Sequence, residues 1–277
     1  MSKNAILLFS KVPQAGKVKT RLTPIKDGKL KPEHASHLYH CMLFDVVEIC
    51  CDAAKILKSR KQQNSYDIII SSPGAQCEEM KNLFAESGSW PQEIKFIQDD
   101  GASFDEHYNC AFNKVWEQGY DTILSMGCDM PALSTPIVIE GFERLEYLLS
   151  VDGGGIVLSP DQQMGVSIVG WTKDTKFDHT GVFYNKDGLT VLPAYIQKAQ
   201  RLGIPALFLP SVPDVDTMMD LYHSVTVVQA LEYCGQFQDD LTIPHRTADA
   251  MRWLGFKDIR VAPNDLFDSR EEIDSDE

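Results

Sequence analysis

The chain has 277 residues, of which 43% are hydrophobic and 24% are charged, and this composition is sufficient for a folded globular protein. It contains 26 lysine and arginine residues against 40 aspartate and glutamate residues, for a formal net charge of −14. Disorder over the whole chain is therefore excluded, and a protein this acidic is a poor general ligand for nucleic acids or anionic membranes.

Short apolar runs alternate along the chain with segments in which apolar residues recur every three or four positions. The first pattern predicts buried strands, and the second predicts amphipathic helices. The first strand is expected at 5–9, and the first helix begins at Pro32 and continues through Ile56. The later elements are predicted at 66–71 (strand), 76–87 (helix), 94–97 (strand), 104–118 (helix), 122–126 (strand), 135–149 (helix), 155–158 and 166–169 (strands), 189–202 (helix), 206–209 (strand), and 218–233 and 247–254 (helices).

This alternation predicts an α/β protein with a three-layer, Rossmann-like fold, in which helices cover both faces of a mostly parallel sheet. Because no repeat or low-complexity linker interrupts the chain, residues 1–235 are expected to form one domain, followed by a C-terminal extension at 236–277. Ligands of such sheets bind at the carboxyl ends of the strands. Three loops follow predicted strand ends and carry many charges: the first loop (10–24), the second loop (127–131) and the third loop (210–217).

The charge is unevenly distributed along the chain. Residues 1–31 contain eight lysine and arginine residues and a single aspartate, which predicts an anion site on an otherwise acidic protein. Residues 258–277 contain eight acidic residues and two arginines, and we expect them to form a solvated tail.

The cysteines and the N-terminal segment bear on location. Seven cysteines without a C-x-x-C spacing favour free thiols in a reducing compartment. The apolar run near the N-terminus is too short to span a bilayer and lacks a signal-peptide cleavage pattern. We therefore expect a cytoplasmic protein without a membrane span.

The first loop contains Lys19 and Arg21 two positions apart, so in an extended chain both side chains point to one side. Arginine offers a planar fork and lysine a mobile charge, and both suit a phosphate. Gly16 permits a tight turn and a close approach to a ligand. The loop matches neither G-x-x-x-x-G-K-[ST] nor G-x-G-x-x-G. Its composition alone leaves phosphate binding and a solvated basic loop as equal alternatives.

Aspartates follow predicted strands in the second and third loops. Asp129 follows the strand at 122–126, and its hard oxygen ligands suit Mg²⁺ or Mn²⁺, although a turn or a helix N-cap is the simpler role. In the third loop, Asp214 and Asp216 point the same way if the chain is extended, but Asp216 and Asp220 are also suited to begin a helix. Mg²⁺ usually takes one or two protein carboxylates, and Asp129 with Asp216 would supply them.

The histidines give weaker signals. His34, His37 and His40 recur at a spacing of three and are interpreted as a solvated helix face rather than a zinc site. His179 and His245 lie in predicted loops, and either is a candidate base that the sequence does not distinguish from the other. A G-x-S-x-G elbow is absent, so the sequence does not support an α/β-hydrolase.

Taken together, the three loops resemble a known family. Residues 8–22 (LFSKVPQAGKVKTRL) resemble the opening motif of a bacterial family of small glycosyltransferase-like proteins. That family belongs to the nucleotide-diphospho-sugar transferase superfamily and has the fold called GT-A. Residues 127–131 (GCDMP) and 214–221 (DVDTMMDL) resemble its central and late motifs, and the order and spacing fit over roughly residues 4–222.

The resemblance implies a nucleotide or nucleotide-sugar over the carboxyl edge of the sheet and glycosyl transfer to an acceptor that it does not identify. It implies Mg²⁺ or Mn²⁺ between Asp129 and Asp216, and catalytic roles for Lys19, Arg21 and Asp129. The residues expected to contact the nucleotide are Phe9, Lys11, Pro13, Gly16, Lys19, Arg21 and Cys128.

One departure from the family keeps two alternatives open. Where the family has Gly-Pro-Ala-x-Asp-Gly-Gly-Tyr, this chain has SPDQQMGV at 159–166, so that Gln163 stands in the place of the acid. The chain at 38–46 also resembles guanylyltransferases that activate phospholactate, which favours nucleotidyl transfer with release of pyrophosphate as an alternative. A degenerate member that binds a nucleotide without turning it over is the other.

Overall fold

A computed structural model describes residues 1–183 and 185–256. The expected α/β class is confirmed, because the described residues form a seven-stranded, mostly parallel sheet with helices on both faces. The elements are β1 (Lys3–Phe9), α1 (Pro32–Arg60), β2 (Ser65–Pro73), α2 (Gln76–Glu86), β3 (Ile94–Asp99), α3 (Phe104–Trp116), β4 (Thr122–Gly127), α4 (Thr135–Leu149), β5 (Ile156–Pro160), β6 (Val166–Thr172), α5 (Val191–Leu202), β7 (Ala206–Phe208), α6 (Met218–Cys234) and α7 (His245–Trp253).

The strand order is β3-β2-β1-β4-β6-β5-β7, in which β6 is antiparallel to both of its neighbours and the other pairs are parallel. Strand β1 is central, and Phe9 at its end lies opposite Ser71 of β2 and Gly127 of β4. The carboxyl ends of these three strands therefore meet at one edge of the sheet. This register brings the first and second loops together.

The sheet separates two apolar cores. On β1, Ile6 and Leu8 face the core beneath α1, α2 and α4, while Ala5 and Leu7 face the core beneath α3 and α5. This alternation is what a strand buried on both faces requires. Burial of both faces of β1 therefore explains the continuous apolar run from which the strand was predicted.

A third core joins the first loop to the C-terminal helices. Leu22 packs with residues of α1, α6 and α7. The carboxylate of Asp45 on α1 accepts hydrogen bonds from the backbone N–H groups of Arg246 and Thr247, and Arg246 also donates from its side chain. The structure describes residues 236–256 of the expected C-terminal extension. Helix α7, which lies in this segment, packs against α1. The acidic tail predicted at 258–277 lies outside the described residues.

Within residues 1–183 and 185–256, no helix is both long and apolar enough to cross a membrane. The seven cysteines are free thiols, and five of them are buried.

Candidate active site

A cavity of about 630 Å³ opens at the carboxyl edge of the sheet, between the three loops. The predicted site residues that line it are Phe9, Lys11, Lys19, Arg21, Cys128, Asp129 and Asp216. Pro13 and Gly16 belong to the same loop but do not line the cavity. The φ of Gly16 is +75°, and a Cβ there would meet nothing within 4 Å, so the glycine serves the turn of the loop.

Cations of the first loop bind carboxylates of the other two loops inside this cavity. Lys19 Nζ lies 2.5 Å from Asp129 Oδ2 and 2.9 Å from Asp216 Oδ1. Arg21 Nη1 lies 2.7 Å from Asp216 Oδ2. The side chain of Lys19 is 8% exposed, whereas that of Arg21 is 63% exposed. Lys19 is therefore held deep between the two carboxylates, and Arg21 closes the network from the solvent side.

The backbone of the first loop is shaped to place Lys19. This residue has φ 48° and ψ 39°, a left-handed conformation that costs a side-chain-bearing residue about 1–3 kcal/mol. It precedes a short 3₁₀ turn at Thr20–Leu22, and the side chains of Val18 and Leu22 on either side are buried in the third core. Burial of these two apolar side chains and the ion pairs of Lys19 offset the backbone strain.

Backbone contacts fix the second and third loops against each other. Asp129 follows β4, and its carbonyl oxygen accepts a hydrogen bond of 2.9 Å from the N–H of Val215. Thr217 is the N-cap of α6 and forms a capping box with Asp220. The helix-start role therefore falls to Thr217 and Asp220, and the carboxylate of Asp216 is left for Lys19 and Arg21.

Asp214, to which the sequence assigned no role, completes an acidic group. One carboxylate oxygen each of Asp129, Asp214 and Asp216 lies within 4.8 Å of the other two. Burial and the charges of Asp129 and Asp216 raise the pKa of Asp214 to about 6. For Lys19, burial lowers the pKa, but the ion pairs with Asp129 and Asp216 outweigh it, so the pKa is raised and the ammonium stays charged.

The hairpin between β5 and β6 contributes a different glutamine from the one that the sequence singled out. Gln162 Nε2 donates to the carboxylates of Asp214 and Asp220, at 3.0 Å each, and its Oε1 accepts from the N–H of Asp214. Gln163 instead donates its backbone N–H to Asp161. Gln162 thus orients the third loop, a contact that depends on the two segments meeting in space.

The other end of the cavity carries a histidine and an aspartate that sequence reasoning missed. Asp99, at the end of β3, is 2% exposed; it accepts a hydrogen bond of 2.6 Å from Ser71 Oγ, and His107 Nδ1 lies 2.5 Å from it. Phe9 stacks on Tyr108, with ring centroids 3.7 Å apart. His107 lies in the first turn of the helix predicted at 104–118, and the sequence assigned it no other role. The signal that was available is the position of Asp99 after a strand, at the same edge as the three loops.

The two loop histidines proposed as bases lie elsewhere. His179 is fully buried, with Nδ1 2.8 Å from the Tyr195 hydroxyl, and burial lowers its pKa to about 3. His245 begins α7. Neither lines the cavity. On α1, the rings of His34 and His37 pack edge-on against Trp253.

Comparisons with known proteins agree with this architecture. Residues 56–186, less than half of the chain, match the family described as "Uncharacterized protein conserved in bacteria (DUF2064)". A search of curated proteins gave no match. Among solved structures, a protein of Desulfovibrio desulfuricans G20, provisionally named as a nucleotide-diphospho-sugar transferase, aligns with a TM-score of 0.67 and 22% identity over 94% of this chain and 100% of its own.

Two further solved structures are more distant. A cytidylyltransferase of Leptospira borgpetersenii serovar Hardjo-bovis gives a TM-score of 0.47 at 10% identity, covering 95% of this chain and 99% of its own. A manganese complex of a Mycobacterium tuberculosis H37Rv protein gives 0.41 at 15% identity, covering 81% and 97%. The likeness to the Desulfovibrio protein shows a shared fold, and the expected GT-A type is confirmed at that level.

Proposed function

We propose that this protein is a metal-dependent transferase that binds a nucleotide or nucleotide-sugar and transfers the glycosyl group of a nucleotide-diphospho-sugar to an acceptor. The observation that carries the proposal is the meeting of Lys19 and Arg21 with Asp129 and Asp216 in one cavity. Cationic side chains and a bound metal ion are the groups that stabilise the charge of a diphosphate, and this cavity offers residues for both. The buried free thiols favour a cytoplasmic location.

The residues present fit a hard divalent cation. Asp129, Asp214 and Asp216 offer converging carboxylate oxygens, and the position between two of them already accepts a positive charge, that of Lys19. Mg²⁺ or Mn²⁺ held there by Asp129 and Asp216 would neutralise charge on the diphosphate. Asp214, turned into the group by Gln162, would be the additional carboxylate.

The remaining roles belong to the side chains of the cavity. Lys19 and Arg21 would stabilise the negative charge that develops on the leaving nucleoside diphosphate when the bond to the sugar breaks. Lys11, Phe9 and Cys128 line the same cavity and would contact the nucleotide. Pro13 and Gly16 would act by shaping the loop.

We assign acceptance of the acceptor's proton to His107. Its Nδ1 is held by the buried carboxylate of Asp99, and about a quarter of its side chain, 28%, is exposed in the cavity. An imidazole oriented by a buried carboxylate is the arrangement that general bases use. In this scheme the acceptor hydroxyl gives its proton to His107 as its oxygen bonds to the sugar carbon, and the nucleoside diphosphate leaves with the electron pair.

Nucleotidyl transfer is the second candidate, and the β5–β6 hairpin favours it. Asp161 is the acidic residue of that hairpin, and its Oδ1 accepts hydrogen bonds from the backbone N–H groups of Gln163 and Gly165. The carboxylate of Asp161 is therefore tied to its own turn, and Gln163 stands at the position where the resembled family has an acid. In this reaction an acceptor oxygen attacks the α-phosphorus of a nucleoside triphosphate, and pyrophosphate leaves with the electron pair.

Two measurements test the proposal. Thermal-shift screening of nucleotides and nucleotide-sugars, with and without Mn²⁺, should find a ligand whose stabilisation depends on the metal. Turnover assays with that ligand then separate the candidates, because glycosyl transfer releases a nucleoside diphosphate and nucleotidyl transfer releases pyrophosphate. Failure of every nucleotide and nucleotide-sugar to bind at millimolar concentration would refute the proposal. Metal-dependent binding without turnover would indicate a degenerate member.

A further inference from the structure

We propose that Lys19 is an exchangeable internal cation: its ammonium lies between Asp129 and Asp216, and a divalent ion that binds there displaces it toward the bound phosphates. The inference rests on the metal site of the proposed function and concerns how that site is filled. It gives one side chain two alternating partners, the carboxylates of the second and third loops or the phosphate oxygens of a ligand.

The ammonium of Lys19 occupies the position that a metal ion shared by the same two carboxylate oxygens would take. Lys19 Nζ is 2.5 Å from Asp129 Oδ2 and 2.9 Å from Asp216 Oδ1, one oxygen of each carboxylate proposed as a metal ligand. Mg²⁺ binds oxygens at about 2.0–2.1 Å, so an ion bound to these two oxygens would lie against the ammonium, with like charges in contact. One of the two cations must leave, and the lysine is the one on a flexible stem.

The surroundings of Lys19 give the displaced ammonium a destination. Lys11, Lys17 and Arg21 line the same cavity from the same loop. An ammonium released from Asp129 joins this cationic wall and is available to a phosphate. The Tyr39 ring lies 6.0 Å from Nζ, and a 2.9 Å hydrogen bond between its hydroxyl and Ser10 holds it in place. In the exchange, the lysine side chain moves and this ring stays where it is.

The exchange couples the metal to the phosphate ligand. When no phosphate is bound, a metal ion must displace Lys19 from its two carboxylate partners, and the ammonium is left without an equivalent partner. Without a metal ion, a phosphate must compete with two carboxylates for the same ammonium. Each ligand therefore removes part of the cost of binding the other, and the two should bind with positive cooperativity.

The test compares two substitutions that remove the same charge from the same loop. Mn²⁺ affinity is measured by electron paramagnetic resonance of free Mn²⁺ for the wild type, for Lys19→Met and for Lys17→Met. Lys17 is exposed, lines the cavity and makes no ion pair with the described carboxylates, so it controls for the loss of a nearby positive charge. We expect Lys19→Met to bind Mn²⁺ about tenfold more tightly or better, and Lys17→Met to stay within about twofold of the wild type.

Each outcome is informative. Unchanged or weaker Mn²⁺ binding by Lys19→Met refutes the exchange but leaves the metal site intact. The absence of Mn²⁺ binding by all three proteins at millimolar concentration refutes the metal site of the proposed function as well. If Lys19→Met does not fold, wild-type crystals soaked in MnCl₂ answer the question, because exchange requires Lys19 Nζ to leave Asp129 and Asp216 when Mn²⁺ is bound there. Lys19 unmoved beside bound Mn²⁺ would overturn the proposal.

Discussion

The buried imidazole of His179 should make the stability of the fold fall in mild acid. Burial, the larger cause, and the charge of Lys198 lower the pKa of His179 from 6.5 to about 3. The unfolded chain takes up a proton on this residue as the pH falls below 6.5, whereas the native protein stays neutral there until the pH approaches 3. The free energy of unfolding therefore falls with a slope that approaches about 1.4 kcal/mol per pH unit below pH 5.5, which amounts to about 2 kcal/mol between pH 6.5 and 4.5.

Urea unfolding at several pH values between 7.5 and 4.5 measures this contribution. We expect the stability of His179→Phe to fall less steeply with decreasing pH than that of the wild type, by about 1.4 kcal/mol per pH unit below pH 5.5. Loss of the hydrogen bond to Tyr195 shifts the variant by a constant amount and leaves the slope unaffected. His223→Gln, at an exposed histidine of α6, should keep the wild-type slope. Equal slopes for His179→Phe and the wild type would show that the imidazole is not kept neutral by the fold.

Three other predictions test the site and the sheet. Asp129→Asn should reduce metal-dependent turnover by about 100-fold or more while circular dichroism stays unchanged, and retention of activity would contradict its role as a ligand. His107→Gln should lower kcat by about 10²–10⁴-fold with little change in KM, and a rise in KM with kcat unchanged would indicate a binding role instead. Gly170→Ala should lower the free energy of unfolding in urea by about 3 kcal/mol, because the new Cβ would lie 2.3 Å from the carbonyl oxygen of Ile123. Gly16→Ala, whose Cβ would lie in open space, should lower it by about 1 kcal/mol, and equal losses for the two variants would contradict the steric argument.

The positions of the elements were largely predictable from sequence, and the differences have local causes. Helix α4 has the predicted bounds, because Pro136 fits its first turn and its apolar stripe continues to Leu148. Helix α5 begins at Val191 rather than at the predicted 189. The side chain of Asn185 accepts from the N–H of Leu189 and donates to its carbonyl oxygen, which holds this segment as a loop. The spacing of apolar residues gives little information on such a side chain, which competes with the helix for backbone hydrogen bonds.

The site was predictable only where strand ends and charged loops coincide. Lys19, Asp129 and Asp216 follow this rule, and the structure brings them into direct contact. Asp99 follows it as well, but its pairing with His107 depends on how α3 leaves β3 and is invisible in the linear pattern. Asp214 had no predicted role for the same reason, since a glutamine from another hairpin sets its orientation. Tertiary placement, rather than residue type, was the missing information.

The charges of the site also hold its loops together. The carboxylates of Asp129, Asp214 and Asp216 would repel one another on their own, and Lys19 compensates from the first loop. Its two bonds join residues 110 and 197 positions apart, so a single ammonium closes two long segments onto one point. Anything that takes over these carboxylates must also replace the crosslink that the lysine supplies, and ligand binding is therefore linked to the order of the loops. If Lys19 had a purely structural role, its substitution would lower the stability of the protein without raising its affinity for a metal ion. Metal affinity is therefore the measurement that separates exchange from a structural role.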